Sequence, residues 1–552
     1  MRHARNAFVS SNGINILLPT NIIHKIIVKV NTLCAKIMKK IKRIFSLVVL
    51  IGIMCYYYIQ HNINREGVFL NISESKRINK VPWKSMLMTV FFFALIVRLV
   101  IGMGYLNSYD TEWNIMWGIE LDGGFFSCYA EGGLTSLDYP PLYLYPLYIV
   151  GQLMKITDFA GYPPFRMLAI KFMPCLMDSL TCLTFYKLGS RRSKALGLFA
   201  AGVWAINPAS IFNCAFWGQT DCVMMCIAAL LFLALKEKRV VASGVLFGVL
   251  CTTKLQGLYL TPIVGMELLT ICFGSLNVKQ FRRENINKKN VIKFFKFIGA
   301  VIVTAAAVFL PFMIGSALAS KDKLEGFLRP LTVYGGGLDK YPYCTMNADN
   351  LYRLFGLNGV KDELELFPGF SISTLSKIFL LLSVAMVVVV YLFGRRKSHW
   401  LAGYILMECI FMLTSRQHER YQILTLIMLM GAFLEIADRR LLPMFSLHAL
   451  VIFANQARVL SAVREKNDWW GYYKTTNSAM NAIMQDAMEK VSENGAGWLE
   501  YNSFFADLNS LLNVTLFVIS MLFVLRYYFD SKYELSLCDR IKHSINRNLS
   551  SI

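Results

Sequence analysis

The sequence predicts an all-α fold, a polytopic transmembrane bundle of about 11–13 spans with a large first exterior loop. Three observations carry this. Of the 552 residues 55% are hydrophobic and only 17% are Asp, Glu, Lys or Arg, with a mean hydropathy of +0.46. That composition overrides the several soluble domains that length alone would suggest. Apolar stretches of a size to enter or cross a hydrocarbon core of roughly 30 Å recur along the chain. Short basic loops separate many of them.

The net charge of +22, from 57 Lys and Arg against 35 Asp and Glu, follows the bias of cytoplasmic loops toward Lys and Arg and draws anionic lipid to the surface. No zinc-finger spacing occurs, nor a basic helix interleaved with aromatics. Nucleic acid is therefore excluded as a partner, and membrane lipid is expected. Most of the 13 cysteines fall within apolar stretches, as buried thiols that act as small hydrophobes. Cys128 and Cys344 lie in loops placed outside, where a disulfide is conceivable.

Residues 1–84 read as a basic extension with a candidate membrane anchor. Met38-Lys-Lys-Ile-Lys-Arg43 precedes an apolar run to Tyr58 that lacks a small-residue cleavage site. Candidate spans follow at roughly 44–60, 85–105, 141–156, 166–188, 195–213, 221–235, 240–254, 256–274, 294–318, 375–394, 400–414, 421–437, 441–463 and 508–529. The basic turns Arg191–Lys194, Lys236–Arg239, Arg282–Lys289, Arg395–Lys397 and Asp438–Arg440, all placed in the cytoplasm, send the intervening polar loops to the opposite face. For 106–140 to join them, 141–156 must dip in or lie along the interface; Pro140, Pro141 and Pro146 break it. The organisation expected is 1–84, a membrane module over 85–318, an exterior loop 319–374, a C-terminal helical module 375–463, an exterior amphipathic loop 464–507, and a last span and tail over 508–552.

Five polar motifs at span ends then share one face. Asp110, in Tyr109-Asp-Thr-Glu112-Trp113, is placed to take a proton from a hydroxyl nucleophile; the alternative is a helix N-cap. Asp138-Tyr139-Pro-Pro-Leu-Tyr143 holds an acid and a phenol at a proline-locked turn, with an aromatic girdle as the plainer reading. Trp217-Gly-Gln219-Thr-Asp221 offers donors and acceptors for sugar hydroxyls. Lys254-Leu-Gln256 sits at a break between two apolar runs, where a lysine needs an anion or a route to the surface. His418-Glu419-Arg420-Tyr421, after Arg416, suits a phosphate or a salt-bridged turn. No Walker A loop and no Gly-x-Gly-x-x-Gly after a strand is present, so a donor carried in the membrane is expected over a soluble sugar nucleotide.

Taken together these residues resemble a glycosyltransferase of the GT-C class. The nearest pattern is that of the enzymes extending lipid-linked oligosaccharide with dolichyl-phosphate glucose, together with bacterial relatives. Asp138 to Leu142 looks like their Asp-Tyr-Pro-Pro-Leu motif, and His418-Glu419-Arg420 resembles their His-Glu-Lys. Lys254-Leu-Gln256 resembles a Lys-Gln step with Leu255 inserted, and Trp217-Gly-Gln219 stands where a His-Phe-Gln pattern is found. The likeness runs over about residues 85–440. It implies an inverting transfer of a hexose, glucose or mannose, from a polyprenyl-phosphate donor to a lipid-linked or envelope glycan. Asp110 would be the base. Lys254, His418 and Arg420 would hold the leaving phosphate, and Glu112, Asp138, Tyr139, Gln219, Asp221, Gln256 and Glu419 would position substrates. No cofactor and no essential metal are implied, although Asp110 and Asp138 have the chemistry to ligate one. The implied location is a bacterial plasma membrane with the site facing outward, the endoplasmic reticulum being the alternative. Competing classes are a flippase of lipid-linked saccharide and a polymerase or ligase using a polyprenyl diphosphate. In 319–374, Tyr334-Gly-Gly-Gly337 reads as a flexible cover or a loose connector.

Overall fold

Backbone polar groups in lipid must be satisfied internally, so each apolar stretch closes into a helix. The protein, seen in a computed structural model describing residues 82–104, 109–134, 137–157, 163–466, 504–531 and 533, is a helical bundle with one small hairpin, β1 (Glu365–Phe367) against β2 (Phe370–Ser371). The expected anchor at 44–60 and most of 464–507 lie outside those residues.

The N-terminal helices are α1 (Trp83–Gly102), α2 (Tyr109–Glu120), α3 (Leu144–Thr157), α4 (Pro163–Gly189), α5 (Lys194–Ala205) and α6 (Pro208–Ile211). Next come α7 (Asp221–Lys236), α8 (Val240–Thr253), α9 (Thr261–Phe273) and α10 (Lys288–Ala319). The connecting region holds α11 (Lys323–Leu328), α12 (Val333–Asp339) and α13 (Leu351–Leu354). The C-terminal part has α14 (Ile372–Phe393), α15 (His399–Leu413), α16 (Leu424–Ile436), α17 (Leu441–Lys466) and α18 (Phe504–Phe529).

Among the described residues six helical segments are long and apolar enough to cross a membrane, in α1, α4, α9 with its preceding 3-10 turn, α10, α14 and α18. They become seven if α5 and the 46° bent segment Pro208–Trp217 count as one span. The remaining expected crossings are shorter. The 16 residues of α7 reach about 24 Å, and α8, α15 and α16 are shorter still. The 14 residues of α3, the segment expected to dip or lie flat, are also too few to span. Helix α17 has 26 residues but carries His448, Asn455 and Gln456 on its buried surface.

Local signals place the ends of these helices where the polar motifs lie. Asn207 caps α6 by accepting from Ala209 N, and Pro208 occupies the first turn. A π-helical turn, Phe212–Trp217, follows and stops at Gly218, whose φ of 79° is left-handed. That stop directs Trp217 and Gln219 back toward α2. Helix α8 ends at Thr253 because Lys254 adopts extended backbone, and a 3-10 turn, Leu255–Leu260, restarts the chain. This is the break expected at Lys254-Leu-Gln256. Helix α2 is pressed onto α3 through Gly118 and Gly151; a Cβ on Gly151 would lie 1.8 Å from the Gly118 carbonyl oxygen.

Two buried polar knots hold the bundle. Arg98 on α1, fully buried, donates to Asp178 of α4 at 2.7 Å, to the carbonyls of Ala205 and Trp204 at 2.9 and 3.3 Å, and to Ser210 at 3.3 Å. It thereby caps the carbonyl end of α5, which no intrahelical donor reaches. Trp204 closes the knot by donating to the other Asp178 oxygen at 3.0 Å. The second knot is Asp349, which accepts from Arg458 of α17 at 2.8 Å and Asn509 of α18 at 2.5 Å. Its backbone N–H donates to Asn455 and its carbonyl accepts from Asn513.

Two expectations change. The glycines 335–337 form part of helix α12 and are not a loose connector; the helix is anchored by Tyr334, whose hydroxyl donates to the Cys251 carbonyl at 3.0 Å. Cys128 and Cys344 are free, buried thiols, so no disulfide joins them.

Removing one partner of a buried ion pair strands the other charge. Asp178→Ala is expected to lose about 3–5 kcal/mol, read as a fall in melting temperature of the purified protein in detergent. The double variant Arg98→Met/Asp178→Leu should recover most of it; equal damage from both would show that the charge itself is not the issue.

Candidate active site

Asp110 lies in the first turn of α2, which starts at Tyr109. Its Oδ2 accepts from Trp217 Nε1 at 3.0 Å and from Gln219 Nε2 at 2.5 Å. Both donors lie more than 100 residues further along the chain, delivered by the π-helical turn and the Gly218 stop. Among the described residues no donor reaches Oδ1. One carboxylate oxygen is thus held by two neutral donors and the other is left to act as an acceptor.

Beside it Asp221, fully buried at the start of α7, gathers the cations. Its Oδ1 accepts from Lys254 Nζ, and Arg420 Nε stands 3.9 Å from Oδ2. Asn213 adds a weaker donor to Oδ2 at 3.4 Å. Arg420 donates from Nη1 to Glu419 at 2.6 Å and lies over the rings of Trp217 and Tyr421, 5.9 and 5.6 Å from their centroids. Its Nε is buried without a hydrogen-bond partner among the described residues. Lys254 lies over the Tyr421 ring as well. Aromatic faces steady both cations with little competition for their N–H groups.

His418 packs edge-on to Tyr341, with ring centroids 5.1 Å apart, and against Tyr421 at 5.0 Å. Burial, reinforced by Arg420, Lys254 and Lys340, pushes its imidazole well below the usual histidine range, so it is held neutral. Burial raises Glu419, opposed by Arg420. The Arg416-to-Arg420 turn is itself unusual: Arg416 takes a left-handed φ of 63°, and its guanidinium donates to Asp362 at 2.8 Å.

The 319–374 region closes over this cluster. Lys340, just past α12, donates to Asp138 at 2.7 Å. Burial works against the lysine's charge, but Asp138 outweighs it and raises Lys340 above its ordinary range. Tyr139, next in sequence, has its hydroxyl 3.2 Å from Thr220 Oγ1, while its carbonyl accepts from Tyr129 at 2.6 Å. Further on, Met346 and Asn347 form isolated bridges with His418, and Met346 N donates to the Gln417 carbonyl at 2.9 Å.

Residues from all five motifs therefore meet in one place. Two sequence-predicted residues stand apart. Glu112 pairs with Arg166 of α4 at 3.0 Å. Gln256 is buried, with Oε1 unpartnered and no bond to the cluster among the described residues. Asp221, expected to face a sugar, lies beneath Lys254. Sequence reasoning missed Lys340, Tyr341, Asn213 and Arg166. The charge of Lys340 beside Tyr341 was the only available signal, and nothing local says which acid it meets.

Comparison with known proteins bears on the central part of this arrangement. Residues 165–334 match the model of the ALG6, ALG8 glycosyltransferase family. The matched stretch contains Gln219, Asp221, Lys254 and Gln256, and it supports the resemblance drawn from the motifs. No curated protein matches the chain. With its apolar helices the protein is an integral multi-pass membrane protein, and the family match supports a membrane glycosyltransferase that uses a lipid-linked sugar.

A depressed histidine pKa has a stability signature. The folded protein binds fewer protons at His418 than the unfolded chain below about pH 6.5, so this residue's contribution is present above that pH and is lost as pH falls. Melting temperature followed from pH 7.5 to 5 should drop less in His418→Gln than in wild type. Parallel curves would place the titration elsewhere.

Proposed function

We propose that the protein transfers a hexose, glucose or mannose, from a polyprenyl-phosphate donor to a glycan acceptor, with inversion at the anomeric carbon. The single observation that carries this is the divided Asp110 carboxylate, one oxygen held by Trp217 and Gln219 and the other open. It stands beside a cation cluster of Lys254 and Arg420. A base on one side and cations on the other are what an in-line displacement of a phosphate requires.

In this reading Asp110 Oδ1 takes the proton of the acceptor hydroxyl. The hydroxyl oxygen forms its bond to the anomeric carbon as the bond from that carbon to the phosphate oxygen breaks. The electron pair leaves with the polyprenyl phosphate. Trp217 and Gln219 fix the plane of the carboxylate, where small misplacements are costly. The unfilled Arg420 Nε–H and the Lys254 ammonium meet the charge that develops on the leaving oxygen. Neutral His418 adds a donor without adding a further positive charge to the group. Asp221 and Glu419 hold the two cations in place in the absence of substrate. Asp138, Tyr139 and Lys340 lie near Asp110 and suit the binding of sugar hydroxyls. Glu112 and Gln256 would act only at the margin of the site. The leaving group is a monophosphate met by organic cations, so the chemistry needs no metal.

The test is transfer from a panel of synthetic polyprenyl-phosphate hexoses by purified protein. Asp110→Asn keeps the hydrogen-bonding shape and removes the base, and is expected to lower turnover by about 10²–10⁴-fold. Lys254→Met should cost about 10²–10³-fold, and a chelator should leave the rate unchanged. Transfer undiminished in Asp110→Asn would sink the assignment of the base. Donor binding without turnover, joined to movement of saccharide lipid across liposomes, would replace the enzyme by a transporter.

A further inference from the structure

Helix α7 runs away from Asp221, and at its far end, about 24 Å along its axis, lies a second polar centre. A cavity of about 270 Å³ opens there among the ends of α7, α9, α14, α15, α16 and α18. Lys236, Lys238, Arg396 and Lys397 line it, together with Glu267 and Glu435. By formal charge that is four cations against two acids.

The partners already made leave a particular residue of charge. Glu435 is occupied, accepting from Ser398 at 2.5 Å and pairing with Lys236, with His399 Nδ1 3.5 Å away. Arg396 is spent on the backbone carbonyls of Tyr527, Asp530 and Tyr533. Lys238 and Lys397 are exposed, and among the described residues neither has a carboxylate within ion-pairing distance. Among the described residues the Lys397 ammonium donates to the Ser275 hydroxyl alone. Glu267 accepts from Tyr391 on one oxygen, at 3.1 Å.

The cavity also has a sided wall. Leu235 and Val390 line it, and α14 beside it exposes Val389 and Phe393, 42% and 57% accessible, immediately before the basic turn. An apolar helix face exposed in this way is covered by acyl chains in a bilayer, and the cations begin where it ends. A soluble anion has no use for that wall; a lipid has.

We propose that this cavity binds the phosphate of an anionic glycerophospholipid, of the phosphatidylglycerol type, from the leaflet remote from the Asp110 cluster. Lys238 and Lys397 contact the phosphate, Glu267 accepts from a headgroup hydroxyl, and the glycerol backbone lies along Leu235 and Val390. Basic pockets between membrane helices take anionic headgroups by this division of labour. The site is independent of the transfer reaction.

The test is native mass spectrometry of the delipidated full-length protein in detergent, titrated with phosphatidylglycerol, phosphatidylcholine or inorganic phosphate alone. Wild type should retain one phosphatidylglycerol in preference to phosphatidylcholine. Lys238→Gln/Lys397→Gln should bind it about 10- to 30-fold more weakly. Arg282→Gln/Arg283→Gln, at an exposed basic turn elsewhere, should match wild type, which separates a built site from general attraction to a basic surface. Both lysines are exposed, so the unliganded melting temperature of their variant should be unchanged. Equal binding of the two lipids, or equal binding by wild type and the lysine variant, would overturn the proposal. Tight inorganic phosphate binding that the lysine variant loses, without lipid binding, would overturn the lipid as the source.

Discussion

The Arg98–Asp178 ion pair is the joint from which the candidate site hangs. A guanidinium so deep in an apolar bundle is tolerable only when its donors are filled, and here they are filled by groups from three separate helices. The cap it places on α5 fixes where that helix stops, and so fixes the bend that starts at Pro208. The π-helical turn and Gly218 follow from that bend. Trp217 and Gln219, a few residues later, are the two donors that hold Asp110. The geometry of the carboxylate is thus set by a charge pair well outside the site.

Within the site, charge is managed by pairing rather than by access to water. Lys254 and Arg420 converge on Asp221, Arg420 also on Glu419, and Lys340 on Asp138. Each cation is thus held in place by a carboxylate of the protein itself. Burial, reinforced by proximity to these cations, keeps His418 uncharged. A neutral imidazole wedged between Tyr341 and Tyr421 contributes shape and one donor, while the formal positive charge is left to its neighbours.

Much of this was legible in the sequence, and what was not has a physical reason. Apolar run length gave the helices of α1, α10, α14 and α18, because lipid allows almost nothing else. The break at Lys254 was legible because a charge interrupts an apolar pattern, whereas the break at Asn207-Pro208 fell inside the expected span 195–213. The convergence of Asp110, Gln219, Lys254 and Arg420 was legible as a shared face, since all four end apolar runs. Pairings were not. Asp138 and Lys340 are 202 residues apart, and no local property of either announces the other. Asp221 read as an acceptor for sugar hydroxyls, and the fold instead buries it against Lys254. The three glycines at 335–337 looked like slack, but Tyr334 pins the helix they form.

The region over the site is fastened unequally along its two margins. On one side Cys344 to Asp349 is stitched to the Arg416–His418 backbone and tied through the buried Asp349 to Arg458 of α17 and Asn509 of α18. On the other side, past the Tyr334 anchor of α12, an ion pair of Lys340 with Asp138 holds it, and both groups keep about 30% of their side-chain surface in contact with solvent. Ion pairs of that exposure contribute about 0–1 kcal/mol, far less than the buried fastening opposite. The cover therefore has a sewn edge and a clasp. The margin at Lys340 is therefore the one that parts at the lower cost.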